Sequence, residues 1–262
     1  MTARVIAITN QKGGVGKTTT AVNLAAALAG FGHRVLLVDM DPQGNATTGA
    51  GVAKEGLERS VHDLLLDGLV VEEVRVRVGE GAGAFDVLPA DSDLTAAELG
   101  LHEVPERHRR LAVRLDAVRG AYDQILIDCP PALGMLTLNA LAAADSVIIP
   151  VQCEFYALEG LTALLETISG IRERVNERLS IEGILRTMYD PRSGLTRDVS
   201  RQLIEHFGDL VFRTVIPRNV RVAEAPSHGL PVIAYDRQSR GAVAYLALAG
   251  ELARRLAAGT RP

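Results

Sequence analysis

The 262-residue chain predicts an α/β fold, a single domain over residues 1–262 with a doubly wound, mostly parallel sheet flanked by helices. Three observations lead there. Short apolar, β-branched runs alternate with helix-like runs along the chain, as a parallel sheet with crossover helices requires. Two of those runs end in Asp39 and Asp128, which sets carboxylates at the C-terminal ends of strands, the side where open α/β sheets bind ligands. Between the first strand-like run and the first helix-like run lies a glycine-dense turn, Gln11-Lys-Gly-Gly-Val-Gly-Lys-Thr-Thr19.

Val5-Ile-Ala-Ile-Thr9 has the character of a buried strand, and the alanine- and leucine-rich stretch Thr20 to Ala29 that of a helix. Phe31-Gly-His33 supplies a glycine stop before a second buried strand, Arg34 to Asp39. The Gly-, Ala- and Thr-rich segment 46–56 reads as a loop, and Ser60 as the N-cap of a short helix to Leu66. Val70 to Val78 alternates apolar and charged residues like an exposed strand; 79–83 is a turn and Phe85 to Pro89 another strand. Asp91 or Ser92 caps a helix running to Leu101. Glu103 to Val118 is an arginine-rich amphipathic helix, whose Arg107, Arg109, Arg110 and Arg114 form either a solvated face or a partner-binding one. Buried strands follow over 122–128, 146–152 and 181–188, with a long helix ending near Val175 between the last two.

The glycine-dense turn has the strand–turn–helix context of a P-loop. Gly13, Gly14 and Gly16 let the backbone N–H groups of residues 13–16, Val15 included, converge on a phosphate without Cβ obstruction. The helix opening at Lys17-Thr18-Thr19 adds its N-terminal partial positive charge. In such a turn Lys17 reaches the β- and γ-phosphates and the Thr18 hydroxyl binds Mg²⁺. The chain has three lysines among 28 basic residues, and two of them, Lys12 and Lys17, fall within this turn. Where arginine is the default cation, that points to sites needing a compact ammonium. The bland alternative is a glycine-rich turn with stray lysines. Asp39 and Asp41 follow the second strand in a turn with Pro42 and Gly44. Asp128, after Ile-Leu-Ile, would be costly to bury unpaired, so a metal or a hydrogen-bond partner is expected there.

Composition narrows the classes. A hydrophobic content of 47% suits one sizeable core, built mainly from Ala, Val, Leu and Ile because aromatics are only 4%. No run approaches the ~18 apolar residues of a membrane span, and the N-terminus enters a strand without a signal peptide, so the expected location is cytoplasmic. Cys129 and Cys153 read as small buried hydrophobes rather than a disulfide framework. The net charge of −4 hides an asymmetry: Arg186 to Arg240 holds nine arginines against six acids, a net of +3, which leaves −7 elsewhere.

Lys12-Gly-Gly-Val-Gly-Lys-Thr18, with Gln11 where the common P-loop has its first glycine, resembles the deviant Walker A box of the ParA/MinD group of ATPases. Val151-Gln-Cys-Glu-Phe-Tyr-Ala-Leu-Glu-Gly160, the box Val215 to Gly229 and Tyr235-Asp-Arg-Gln-Ser-Arg-Gly241 extend the resemblance over nearly the whole chain, which is very similar to chromosomal ParA (Soj) proteins. The resemblance implies a slow, partner-stimulated ATPase that binds ATP or ADP with Mg²⁺. Lys12 would reach the nucleotide of a partner subunit in an ATP-bound homodimer, and Asp41, in switch I, would position the attacking water. Asp128, in a Walker B segment, would hold Mg²⁺, while 130–134 matches switch II. Pro217 and Asn219 would lie against the adenine, and Arg192, Arg218 and Arg221 would bind the phosphates of non-specific double-stranded DNA. It further implies a ParB-type centromere-binding partner and a place on the nucleoid, in chromosome or plasmid segregation.

Other P-loop classes compete with this reading. A MinD-like membrane ATPase would need an amphipathic C-terminal helix, for which 252–262 is too short and too poor in large apolar residues. A nitrogenase-iron-protein-like reductase would need cysteines that share a cluster across a dimer, and Cys129 and Cys153 are ill placed for it. A metabolic ligase of the dethiobiotin-synthetase kind would put its substrate where the second subunit is expected.

Overall fold

The computed structural model describes residues 2–259, so the last three residues of the segment weighed as a membrane anchor lie outside the described part. In chain order, β1 (Arg4–Ile8) leads through the glycine-dense turn into α1 (Lys17–Gly30), followed by β2 (Val35–Asp39) and α2 (Asn45–Gly49). Next come α3 (Val61–Leu65), α4 (Val71–Val74), β3 (Val76–Val78), β4 (Phe85–Leu88), α5 (Leu94–Gly100) and α6 (Arg110–Val118). The second half runs β5 (Gln124–Asp128), α7 (Met135–Ala143), β6 (Ser146–Gln152), α8 (Ala157–Arg174), β7 (Ser180–Tyr189) and α9 (Gly194–Phe207). It ends with β8 (Val211–Pro217), α10 (Val220–Glu224), α11 (Val232–Tyr235) and α12 (Arg240–Ala258).

Among the described residues eight strands form one sheet in the order β3-β4-β2-β5-β1-β6-β7-β8, parallel except for the antiparallel β3–β4 pair. The alternation of side chains along each strand divides the core in two. Val5, Ala7, Leu36, Val38, Ile125 and Ile127 face one layer, packed against α3 and α5 to α9. Ile6, Ile8, Val35, Leu37 and Leu126 face the other, under α1 and α12. Central strands covered on both faces must be apolar throughout, which is why these runs show no polar alternation. The Ser60 cap is present as expected, with its hydroxyl accepting from the His62 N–H at 3.2 Å and Asp63 accepting from the Ser60 N–H at 2.6 Å.

Four local expectations differ from the structure. Segment 46–56 is not all loop, because Asn45–Gly49 is helical and the Thr47 N–H is held by the Asp39 carboxylate at 2.8 Å. The alternating stretch 70–78 begins as a helix: the Val70 N–H donates to the Glu73 carboxylate at 3.0 Å, and only 76–78 pairs, at the sheet edge. There the buried Asp86 carboxylate gathers Arg75 at 2.6 Å, Arg77 at 3.0 Å and the Tyr122 hydroxyl at 2.7 Å. The helix predicted from Glu103 starts only at Arg110, because Pro105 cannot continue a helical ladder and Glu106 has a left-handed φ of 50°. The helix predicted to be capped at Asp91 or Ser92 begins at Leu94, with Asp91 accepting instead from the Asp93 N–H at 3.0 Å.

Candidate phosphate-binding site

The glycine-dense turn joins the sheet's central strand to α1. Gly14 (φ 73°) and Gly16 (φ 89°) take left-handed conformations that a side chain would disfavour, and a Cβ on Gly14 would meet nothing within 4 Å, so that side of the turn is open. Three contacts fix the turn from outside. Buried Asn10 donates to the Pro150 carbonyl at 2.7 Å and accepts from the Lys12 N–H at 3.0 Å; Thr187 donates to the Val15 carbonyl at 2.8 Å. The Thr20 N–H to Gly16 carbonyl bond, 2.9 Å, is the first of α1, so the N–H groups of Lys17, Thr18 and Thr19 precede the helical ladder and are left for a ligand.

Behind the turn stand three acids. Strand register sets Asp128 beside both Ile8 and Asp39, so two buried carboxylates end neighbouring strands. Asp39 is well partnered: it accepts from the Thr47 hydroxyl at 2.7 Å, the Thr47 N–H at 2.8 Å and the Asp41 N–H at 3.1 Å. Burial nonetheless lifts its pKa to about 6, against the pull of those bonds. Both oxygens of Asp128 are buried with no hydrogen-bond partner among the described residues. Burial and the Asp39 charge push Asp128 well above the carboxylate range, opposed by Thr18 and Lys17. Asp41 is less buried, and one of its oxygens accepts from the Gln43 N–H at 2.9 Å.

The two lysines take opposite environments. Lys17 is buried and donates to the Lys12 carbonyl at 3.2 Å; burial lowers its pKa, while Asp128, Cys129 and Asp41 pull it up. Lys12 points outward, its Nζ donating to Glu154 at 2.7 Å, with both side chains nearly half exposed. Beside it the rings of Phe155 and Tyr156 meet edge to face, mostly exposed. The structure thus gathers Lys17, Thr18, Asp41 and Asp128 behind the turn and leaves Lys12 on the surface. An unpartnered buried carboxylate next to a threonine hydroxyl is an oxygen donor set that fits a hard divalent cation such as Mg²⁺.

Pro217 and Asn219 lie at the end of the edge strand β8. Pro217 pairs with Tyr189, and the Asn219 side chain caps α10 by accepting from the Val222 N–H at 3.2 Å. Arg192 is exposed and bonds Asp190 at 2.9 and 3.0 Å, which, with Arg218 adding to the field, holds that carboxyl down to about 2. Arg192 and Arg218 therefore flank one acid. Arg221 is spoken for by Glu224 at 2.9 Å and Asp236 at 3.4 Å. Sequence reasoning singled out neither Arg237 nor Arg240, both exposed and without an ion pair among the described residues; their signal was the motif 235–241 itself. It also missed Asn10, Thr47 and Thr187, whose roles come from contacts rather than spacing. Both cysteines are buried and free, with their thiols pushed up, that of Cys153 to about 11.

The chain is similar to known proteins along most of its length. Residues 3–181 match a family model described as an AAA domain. The chain is 54% identical to the sporulation initiation inhibitor protein Soj of Bacillus subtilis, over 95% of this chain and 98% of that protein. It is 51% identical to the chromosome partitioning protein ParA of Caulobacter vibrioides, over 95% of this chain and 93% of that one. Among solved structures, one titled cobyrinic acid a,c-diamide synthase from Mycobacterium smegmatis, with bound ATP analog and magnesium, superposes with a TM-score of 0.85 at 39% identity. It covers 98% of this chain and 97% of its own. Among the described residues no helix is long and apolar enough to cross a membrane.

Proposed function

Because the chain belongs to the ParA/Soj family of chromosome-partitioning ATPases, we propose that it acts as an ATP-driven switch that assembles on non-specific double-stranded DNA and is released by hydrolysis. The observation that carries the reading is the contrast between its two lysines. Lys17 is buried against the acids, suited to hold the β- and γ-phosphates of its own nucleotide, with Gly13, Gly14, Val15, Gly16, Thr18 and Thr19 offering N–H groups around them. Lys12 stands on the surface, suited to reach a nucleotide held by a second subunit.

Thr18 and Asp128 would hold Mg²⁺, which when bound supplies charge neutralisation for phosphoryl transfer. Asp41, the least buried of the three acids, would orient the attacking water, and Pro217 and Asn219 would border the adenine. Two triphosphates buried between subunits are unfavourable unless their charge is compensated, so Lys12 would couple nucleotide to dimerisation. Dimerisation doubles the surface carrying Arg192, Arg218 and Arg221. Non-specific affinity rises with the number of phosphates neutralised, so a weakly binding monomer becomes an effective dimer. A ParB-type partner would accelerate the otherwise slow hydrolysis, and the working location would be the nucleoid within the cytoplasm.

One solved structure, named as a diamide synthase, favours a second reading, an ATP-dependent ligase whose acid substrate occupies the face assigned here to the second subunit. Sedimentation of wild type and Lys12→Ala with ATP, ADP or no nucleotide, with and without duplex DNA, separates the readings. The switch requires ATP-dependent dimerisation and DNA co-sedimentation in wild type, both lost in Lys12→Ala. A monomer indifferent to DNA in every nucleotide state would support the ligase.

A further inference from the structure

We infer that Thr187 is a positioning residue of the nucleotide site, and that the strand irregularity at Thr187–Met188 ties the phosphate cradle to the segment 217–219; this rests on reading the glycine-dense turn as a cradle. Thr187 is buried near the end of β7, and its hydroxyl donates to the Val15 carbonyl at 2.8 Å across 172 residues of sequence. A trans peptide points its C=O and N–H in opposite directions. With the Val15 carbonyl turned onto Thr187, the Gly16 N–H is held facing away from β7. The carbon atoms of Thr187 back the same peptide, since a Cβ built on Gly16 would lie 3.9 Å from both Thr187 Cβ and Cγ2. Threonine supplies the hydrogen bond and the contact together. Valine would keep only the contact, and serine mainly the bond.

Two residues further on, Tyr189 pairs with Pro217, and its carbonyl accepts from the Arg218 N–H at 3.2 Å. Between them stands Met188 with φ 48°, one of two non-glycine residues with positive φ among the described residues. The register of β7 against β8 shifts over the same stretch, between Arg186 and Tyr189. A left-handed, unbranched side chain within a strand is unfavourable, and an extra residue in a strand bends it and re-aims its neighbours. Here that allows a single strand to present Thr187 to the turn and still deliver Tyr189 to Pro217. Strain of this kind gathers at ligand clamps, where surrounding structure over-determines it. Thr187 therefore sets the direction of one cradle N–H, and the irregularity beside it sets the spacing between the cradle and the segment 217–219.

The test is equilibrium binding of ADP and AMP, with Mg²⁺, to the full-length wild type, Thr187→Val and Thr187→Ser, by competition with a fluorescent ADP analogue. Wild type prefers ADP, because only ADP brings a β-phosphate to the cradle. Thr187→Val is expected to weaken ADP about tenfold, or about 1.4 kcal/mol, while AMP changes by less than about twofold; Thr187→Ser retains most of the ADP affinity. A Thr187→Val variant that keeps the wild-type ADP-over-AMP preference overturns this inference alone. So does a loss equal for both nucleotides that tracks a lowered thermal midpoint, the mark of a purely structural role. If wild type binds neither nucleotide, the cradle reading falls first and takes this inference with it.

Discussion

Replacing Asp128 with asparagine should make the nucleotide-free, metal-free protein more stable, although it removes a residue of the candidate site. Asp39, at the end of the neighbouring strand, shows the scale. Even with three hydrogen bonds its pKa sits near 6 against an ordinary 3.8. That rise, converted at 1.36 kcal/mol per tenfold change in proton affinity, is about 3 kcal/mol of penalty on the charged form. Asp128 is as deeply buried, and the Asp39 charge adds to the cost, which Thr18 and Lys17 offset only in part. An amide of the same shape carries no charge to desolvate, so Asp128→Asn should raise the stability of the metal-free protein. For a chain of this size each 1 kcal/mol recovered raises the thermal midpoint by about 2–4 °C.

The pH dependence fixes the sign. An acid whose pKa is higher folded than unfolded holds more protons in the folded state between the two values, so stability falls as pH rises through that window and levels off above it. For Asp39 the window runs from about 4 to about 6, and the raised Asp128 contributes a decline of the same sign. The gain from Asp128→Asn should therefore be largest at and above neutral pH and shrink on acidification. Thermal melts in a chelating buffer at several pH values measure it, followed by melts with ADP and Mg²⁺, where wild type should gain stability and the variant little. A variant equally or less stable than wild type at pH 7.5 without metal would refute the reasoning.

Three further outcomes test the site and the surface. Lys17→Ala should abolish nucleotide binding in a filter or fluorescence titration, and retained ATP affinity would remove the phosphate reading. Asp41→Ala should give an ATP-bound dimer that hydrolyses little, checked by phosphate release, whereas near-normal turnover would exclude Asp41 from the chemistry. Arg218→Glu with Arg221→Glu should weaken DNA binding and flatten its salt dependence, by roughly 0.9 in the log–log slope per lost phosphate contact, with ATP-dependent dimerisation intact. Because Arg221 must first leave Glu224 and Asp236, the larger share should come from Arg218.

Features written locally were legible in the sequence. Buried strands announce themselves as apolar β-branched runs, and the turn 11–19 as glycines between a strand and a helix, so the sheet and the cradle could be read directly. The alternation in Val-Val-Glu-Glu-Val-Arg-Val-Arg-Val misled because two features compete there. Glu73 can reach back to the Val70 N–H and close a helical turn, and the pull of Arg75 and Arg77 toward Asp86 comes from another strand. Thr187 and Asn10 were invisible for the same reason: their partners lie 172 and 140 residues away. Residue type placed Lys12 and Lys17 together, but only the packed structure separates a buried ammonium from a surface one. The arginines can be counted in the sequence, yet their mutual standing depends on Asp190, Glu224 and Asp236, which charge counting treats as mere subtraction.

The contact between Lys12 and Glu154 has a consequence for how readily the chain could change partners. An ion pair this exposed is worth at most about 1 kcal/mol and weakens with salt. Exchanging it for a phosphate trades one hydrated acceptor for a more highly charged one, leaving the lysine's own count of ionic contacts unchanged. The ammonium is already drawn out over the surface, so part of its rotational freedom is lost before any encounter. On the proposed reading Glu154 would be a weak placeholder, holding the cation at the surface and releasing it at small cost.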